Sequence, residues 1–195
     1  PPGPAERRLT MPPLAPSWRA PWRTWTAPAG TRARYAEIPT PLGTYTLFRE
    51  PGRRLTATAR AEAWERWQFR LGEDTVLEID DAAAPWYGMR VRMRRGVRGR
   101  LDGVPFTAHA RGRSLSAHRR GIHFTLDDGR TLSFTVHRLH RHLVRRTAGT
   151  DTVISRTHGG GWETRGLDRG ETALLCLVTV ASLDRLLDPP LLELL

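Results

Sequence analysis

Lysine is missing from this chain: all 31 residues counted as lysine or arginine are arginine, and with 20 acids they leave a formal net charge of +11. Every base is thus a planar, permanently charged guanidinium able to grip a phosphate or carboxylate through two hydrogen bonds. Polyanions are the partner class this implies, whether nucleic acid or an anionic membrane surface. Cysteine is nearly absent too. The single Cys176 excludes an intramolecular disulfide framework and a cysteine-based metal cluster, and its apolar surroundings mark it as a small buried hydrophobe. No apolar leader stands at the start, where prolines interrupt residues 1–28 repeatedly, so a cytoplasmic location is expected, with peripheral contact at a membrane open to it. Also missing are a G-x-S-x-G elbow, an H-E-x-x-H helix, a Walker lysine and a G-x-G-x-x-G after a strand. No cofactor is expected, and the reading leans against an enzyme.

What is present divides into a tail and a body. Residues 1–34 are rich in Pro, Ala, Arg and Trp, too proline-broken for a helix or a paired strand, and read as an extended, poorly ordered tail. Trp18, Trp22 and Trp25 either fold back onto the body or anchor the tail at an interface. From Tyr35 to about Arg165 the signal has period two, the mark of half-buried strands. Trp67, Phe69 and Leu71 alternate with Gln68 and Arg70, and Ile122–Leu126 and Leu132–Val136 flank an Asp127-Asp128-Gly129-Arg130 hairpin turn. Turns are also expected at Pro51-Gly52, Gly72-Glu73, Asp102-Gly103 and Gly159–Gly161. The residues Met89-Arg90-Val91-Arg92-Met93-Arg94 read as a strand with its methionines on one face and three arginines on the other. Ala57–Trp67 competes as a helix.

Residues 170–183 are apolar almost without interruption. Asp168 and Glu171 resemble a capping box, Pro189-Pro190 is a stop, and a helix from about Glu171 to Leu187 follows. Its Leu and Val side chains surround the axis, and burying Leu174, Leu175, Leu177, Val178, Val180 and Leu183 stabilises by about 1.5–3 kcal/mol each. That sum rivals a domain's whole net stability of about 5–15 kcal/mol, so the helix must be enclosed. The apolar run from Ala173 to Leu183 rises only about 16 Å, against about 30 Å of bilayer hydrocarbon. The expected container is therefore the protein's own sheet. The fold class predicted is mainly β: a closed antiparallel β-barrel over residues 35–195 that encloses a hydrophobic C-terminal α-helix.

On "WQFRLGEDTVLEIDD", "GIHFTLDDGRTLSFTV" and above all "ETALLCLVTVASLDRLL", the chain resembles the tubby-like superfamily, which includes tubby C-terminal domains, LURP-one-related proteins and phospholipid scramblases. The resemblance covers about Tyr35 to Leu187 and implies a closed barrel threaded by a hydrophobic helix, with phosphoinositide or phospholipid binding as the associated activity. The chain has no cysteine cluster ahead of the barrel and no acidic calcium loop, so the resemblance does not extend to scrambling. The lysine-and-arginine pair that tubby domains use cannot be matched in a chain without lysine.

The leading site is the arginine face: Arg90, Arg92, Arg94, Arg95, Arg98 and Arg100, with Arg138, Arg141, Arg145 and Arg146 as a second basic stretch. On a strand, Arg90, Arg92 and Arg94 would project together about 7 Å apart, a spacing for successive headgroups; the alternative is a solvated outer face. His137, His140 and His142 do not converge on a strand and are followed by no ligand at zinc spacing, so no metal is expected. The acids Glu73, Asp74, Glu78, Asp80, Asp81, Asp127 and Asp128 read as turn caps. The expectation is a binding protein that meets anionic headgroups through its arginines. A nucleic-acid-binding barrel and a protein-interaction module are the alternatives, the former favoured by exposed aromatics among the arginines.

Overall fold

The structure, a computed structural model, describes residues 9–11, 30–51, 64–83, 87–111, 120–138, 141–147, 149–156 and 161–186. The expectations for Trp18, Trp22, Trp25, His140, Gly159 and Pro189-Pro190 lie outside these residues, as does most of Ala57–Trp67.

The fold is mainly β. Its strands are β1 (Leu9–Met11), β2 (Ala33–Thr40), β3 (Gly43–Pro51), β4 (Trp64–Leu71), β5 (Asp74–Ala83), β6 (Val97–Leu101), β7 (Val104–Arg111), β8 (Gly121–Leu126), β9 (Thr131–Arg138), β10 (Arg141–Arg146), β11 (Thr152–Arg156) and β12 (Trp162–Thr164). They form one 12-stranded antiparallel sheet in which β2 to β12 follow chain order as a meander and β1 adds beside β12. The hairpins fall where turn chemistry puts them. Asp102 and Gly103 both take left-handed backbone, with φ of 50° and 81°, the geometry of the tight turn whose twist matches its flanking strands. In the turn between β8 and β9 the Gly129 amide donates to the Leu126 carbonyl at 3.0 Å. Two expectations on strands are corrected. The first residues are not wholly an unpaired tail, because Leu9–Met11 joins the sheet opposite Trp162–Thr164. The rival helix gives way to strand where the structure describes it: β4 begins at Trp64, and its Trp67 and Phe69 point into the core.

Helix α1 covers Tyr87–Arg95 and helix α2 covers Arg169–Val180, followed by a 3₁₀ turn at Leu183–Leu186. The expected capping box is present in full: the Asp168 side chain accepts from the Glu171 amide at 2.8 Å, and Glu171 accepts from the Asp168 amide at 3.0 Å. The α-helix ends at Val180, earlier than Leu187. Buried residues run from Gly170 to Val178 without a break, so no side of α2 faces water. The strands supply its surroundings. Leu47, Trp67, Phe69, Leu77, Ile79, Phe106, Phe124, Phe134 and Ile154 share one apolar core with Leu174, Leu175, Leu177 and Val178. Polar ties hold both ends: the Tyr45 hydroxyl donates to the Arg169 carbonyl at 2.7 Å, and the Trp162 indole donates to Thr179 at 2.9 Å.

No ladder joins β1 to β2 among the described residues, so the sheet's two edges are not hydrogen-bonded to each other, although they approach within 8 Å at Cα. No helix of the described residues is long and apolar enough to cross a membrane.

Candidate anion-binding interface

Residues 87–95 form a helix where a strand was expected. The reason lies in Met89 and Met93, four residues apart and fully buried: on a helix they share one face, and α1 lays that face on the core between β5 and β7. The arginines therefore form no ladder at strand spacing, because successive helical residues turn by about 100°. Arg94 and Arg95 are exposed, while Arg90 and Arg92 are half-buried. Arg92, Arg94 and Arg95 occupy the last turn, where cations complement the helix dipole. The Gly96 amide then donates to the Arg92 carbonyl at 2.9 Å, and β6 begins with Val97 inward and Arg98 outward.

Topology still gathers these residues, in a different way. α1 connects β5 to β6 at one end of the sheet, the end where β7 finishes with Arg111, β9 finishes with Arg138 and β10 starts with Arg141. Arg90, Arg92, Arg94, Arg95, Arg98, Arg138 and Arg141 thus all belong to that end, which we term the basic end. Among the described residues, Arg94, Arg95, Arg98, Arg111 and Arg141 make no ion pair. Of the acids at this end, Asp80 pairs with Arg66 at 3.8 Å and Asp184 with Arg156 at 2.7 Å, while Asp81 accepts from the backbone amide of Arg98 at 3.1 Å.

The other end is acidic and internally matched. Arg169 bridges Asp102 at 2.7 Å and Asp74 at 3.2 Å, Arg130 meets Asp128 at 2.7 Å, and Arg145 meets Asp151 at 3.7 Å. Arg146 donates to Glu171 at 2.7 Å, and that hydrogen bond raises the arginine's pKa further. The second basic stretch is therefore split, with Arg138 and Arg141 at the basic end and Arg145 and Arg146 at the acidic one. Arg100 faces Glu78 at 3.8 Å. A cavity of about 240 Å³ opens at the acidic end, lined by Asp102, Arg130, Thr131, Arg146, Asp168 and Glu171 among others, but its charged groups already satisfy one another. Asp128 acts as the turn cap expected: it accepts from the Arg130 amide at 3.0 Å, and this bond first of all lowers its pKa.

The histidines separate. His137 is exposed, whereas His142 is buried with its ring 5.1 Å from Trp162, a core position. Among the described residues no group of three or more His, Cys, Asp or Glu side chains could hold a metal.

Three features escaped sequence reading. His109 and His123 face each other across β7 and β8, ring centroids 5.3 Å apart. The His123 ring lies over Gly121, where a Cβ would come within 2.8 Å of Nε2, so the glycine makes room for it. Burial, then His109 and Arg111, lower the pKa of His123. Second, Arg49 and Glu65 form a buried pair on the core side, at 2.6 and 2.8 Å, with Trp67 donating to the same carboxylate at 2.8 Å. Third, Arg120, just before β8 at the basic end, is only 4% exposed, and its Nε is sealed from solvent without a hydrogen bond. The missing signal is register: each depends on which strands neighbour which, across loops with no fixed length rule.

No protein-family model, no curated protein and no solved structure matches this chain.

Proposed function

We propose that the protein is a non-enzymatic binding protein that meets anionic phospholipid headgroups end-on, through the basic end, at a membrane surface on the cytoplasmic side. One observation carries the reading: Arg90, Arg92, Arg94, Arg95, Arg98, Arg138 and Arg141 belong to a single end, and its exposed members Arg94, Arg95, Arg98 and Arg141 have no ion pair among the described residues. A flat, charged surface meets such an end as a whole, and each arginine near an anionic leaflet contributes about 1 kcal/mol. We further propose a closed tubby-like barrel as the scaffold; its support is the sequential meander, the near approach of β1 and β2, and a helix buried on all sides. Base stacking has less support, because the exposed large apolar side chains among the described residues, Leu42 and Val153, include no aromatic ring.

The test is flotation with phosphatidylcholine vesicles, with and without phosphatidylserine, at about 0.15 M salt. Binding is expected only to the anionic vesicles. Replacing Arg94, Arg95 and Arg98 by Gln is expected to weaken it roughly 100-fold, three headgroup contacts at about 1 kcal/mol each. Wild-type protein that stays unbound at this salt overturns the reading, and binding to single-stranded nucleic acid in its place moves the partner to that class.

A further inference from the structure

Within the basic end, one arginine differs from the rest. In β8, Ile122, Phe124 and Leu126 face the core while His123 and Thr125 face out, so Arg120, two residues before Ile122, has core-facing parity, and its 4% exposure agrees. A guanidinium cannot shed its proton in a protein, so Arg120 is a buried permanent cation. Burial of a charge carries a large desolvation penalty unless a counter-charge and hydrogen bonds offset it. Among the described residues Arg120 has no ion pair, and its Nε, sealed from solvent, donates to nothing. Among the acids of the basic end, Glu65 is paired with Arg49, Asp184 with Arg156 and Asp80 with Arg66. The C-terminal end of α2 lies toward this end and its dipole favours a cation, but no hydrogen bond from Arg120 reaches it.

We propose that Arg120 is the anchor of an anion site set just inside the basic end, and that its ligand is a phosphate group. An oxyanion with paired oxygens fits the guanidinium fork. Phosphate is favoured over carboxylate because the site belongs to the basic end, where the exposed Arg94, Arg95, Arg98 and Arg141 make no ion pair among the described residues and so favour an anion of higher charge. The inference rests on the basic end being the part that meets anions, and it adds a buried contact to the exposed ones.

The experiment compares wild type with Arg120→Met, which keeps the length of the stem and removes the charge. With no ligand present, the variant is expected to melt higher than wild type, because an uncompensated charge has been taken out of the interior. Inorganic phosphate is expected to raise the wild-type melting temperature by about 5–10 °C at a hundredfold excess over Kd, and to leave the variant where it was. Acetate at equal ionic strength is expected to shift neither. A variant that melts lower, with phosphate raising both proteins alike, makes Arg120 a structural residue and overturns the proposal. If Arg120→Met does not fold, calorimetric titration of wild type with inorganic phosphate decides, and the absence of saturable heat overturns it. Flotation on phosphatidic acid vesicles separates the sources: loss of binding in Arg120→Met assigns the site to a lipid headgroup, and retained binding with lost phosphate response assigns it to free phosphate. Wild type that responds to phosphate but never floats sinks the membrane reading and leaves Arg120 standing; wild type that floats but ignores phosphate does the reverse.

Discussion

The Arg49–Glu65 pair shows what single residues contribute here. Both side chains lie on the core side, 3% and 10% exposed, and the carboxylate takes hydrogen bonds from the guanidinium and from Trp67. Removing one partner strands the other charge, so Glu65→Gln is expected to cost about 3–5 kcal/mol, read as a lower urea midpoint at unchanged slope. His123 gives a pH test. Its pKa in the fold lies below the unfolded value, so the unfolded chain takes up a proton that the native protein refuses. Stability is therefore full above the unfolded value of 6.5, falls as pH drops through it, and levels off below the depressed native value. His123→Gln is expected to flatten that part of the stability profile; an unchanged profile would show that other groups set it. These residues were not legible in the sequence, since Glu65 and Arg49 are partners only through the β3–β4 register. Asp128 was legible, because a turn acid bonds a backbone amide two residues away and needs no distant partner, whereas Glu78, Asp80 and Asp81, expected as turn caps too, lie inside strand β5.

Among the elements, α2 was readable because two independent signals agreed on it, an apolar surface all round and a capping box at its start. Its enclosure has a direct test. Cys176 is fully buried and burial pushes its thiol pKa up, so it is expected to resist thiol reagents until the protein is denatured. Val178 is 1% exposed, and Val178→Asp places a carboxylate where the core offers no partner, at a cost of several kcal/mol. The variant is expected to lose its cooperative thermal transition and expose Cys176 to immediate labelling; a folded variant with a protected thiol would mean that α2 is reached by water. α1 was misread because Met-Arg-Val-Arg-Met-Arg has period two over a length too short to exclude a helix, and Met89 and Met93 suit either geometry. Tertiary packing on β5 and β7 decides between them. The addition of Leu9–Met11 beside β12 could not be read either, since three residues carry no periodicity of their own.

At the scale of the molecule, the meander turns a sequence-wide excess of arginine into polarity along the sheet. At the acidic end Arg130, Arg145, Arg146 and Arg169 are held by Asp128, Asp151, Glu171, Asp74 and Asp102, and at the basic end Arg94, Arg95, Arg98, Arg111 and Arg141 make no ion pair among the described residues. Net charge alone would attract any polyanion to any face; placement makes a stronger claim, and the two can be separated. Replacing Arg94, Arg95 and Arg98 by Gln, or Arg130, Arg145 and Arg165 by Gln, removes the same formal charge from opposite ends. The second set touches only exposed positions, where Arg130 and Arg145 make surface pairs worth about 0–1 kcal/mol, so both variants should fold. If orientation governs binding, flotation on anionic vesicles falls for the first set and stays near wild type for the second. Equal loss in both would mean that the protein is attracted by its total charge, and that the gathering of arginines at one end follows from their abundance alone.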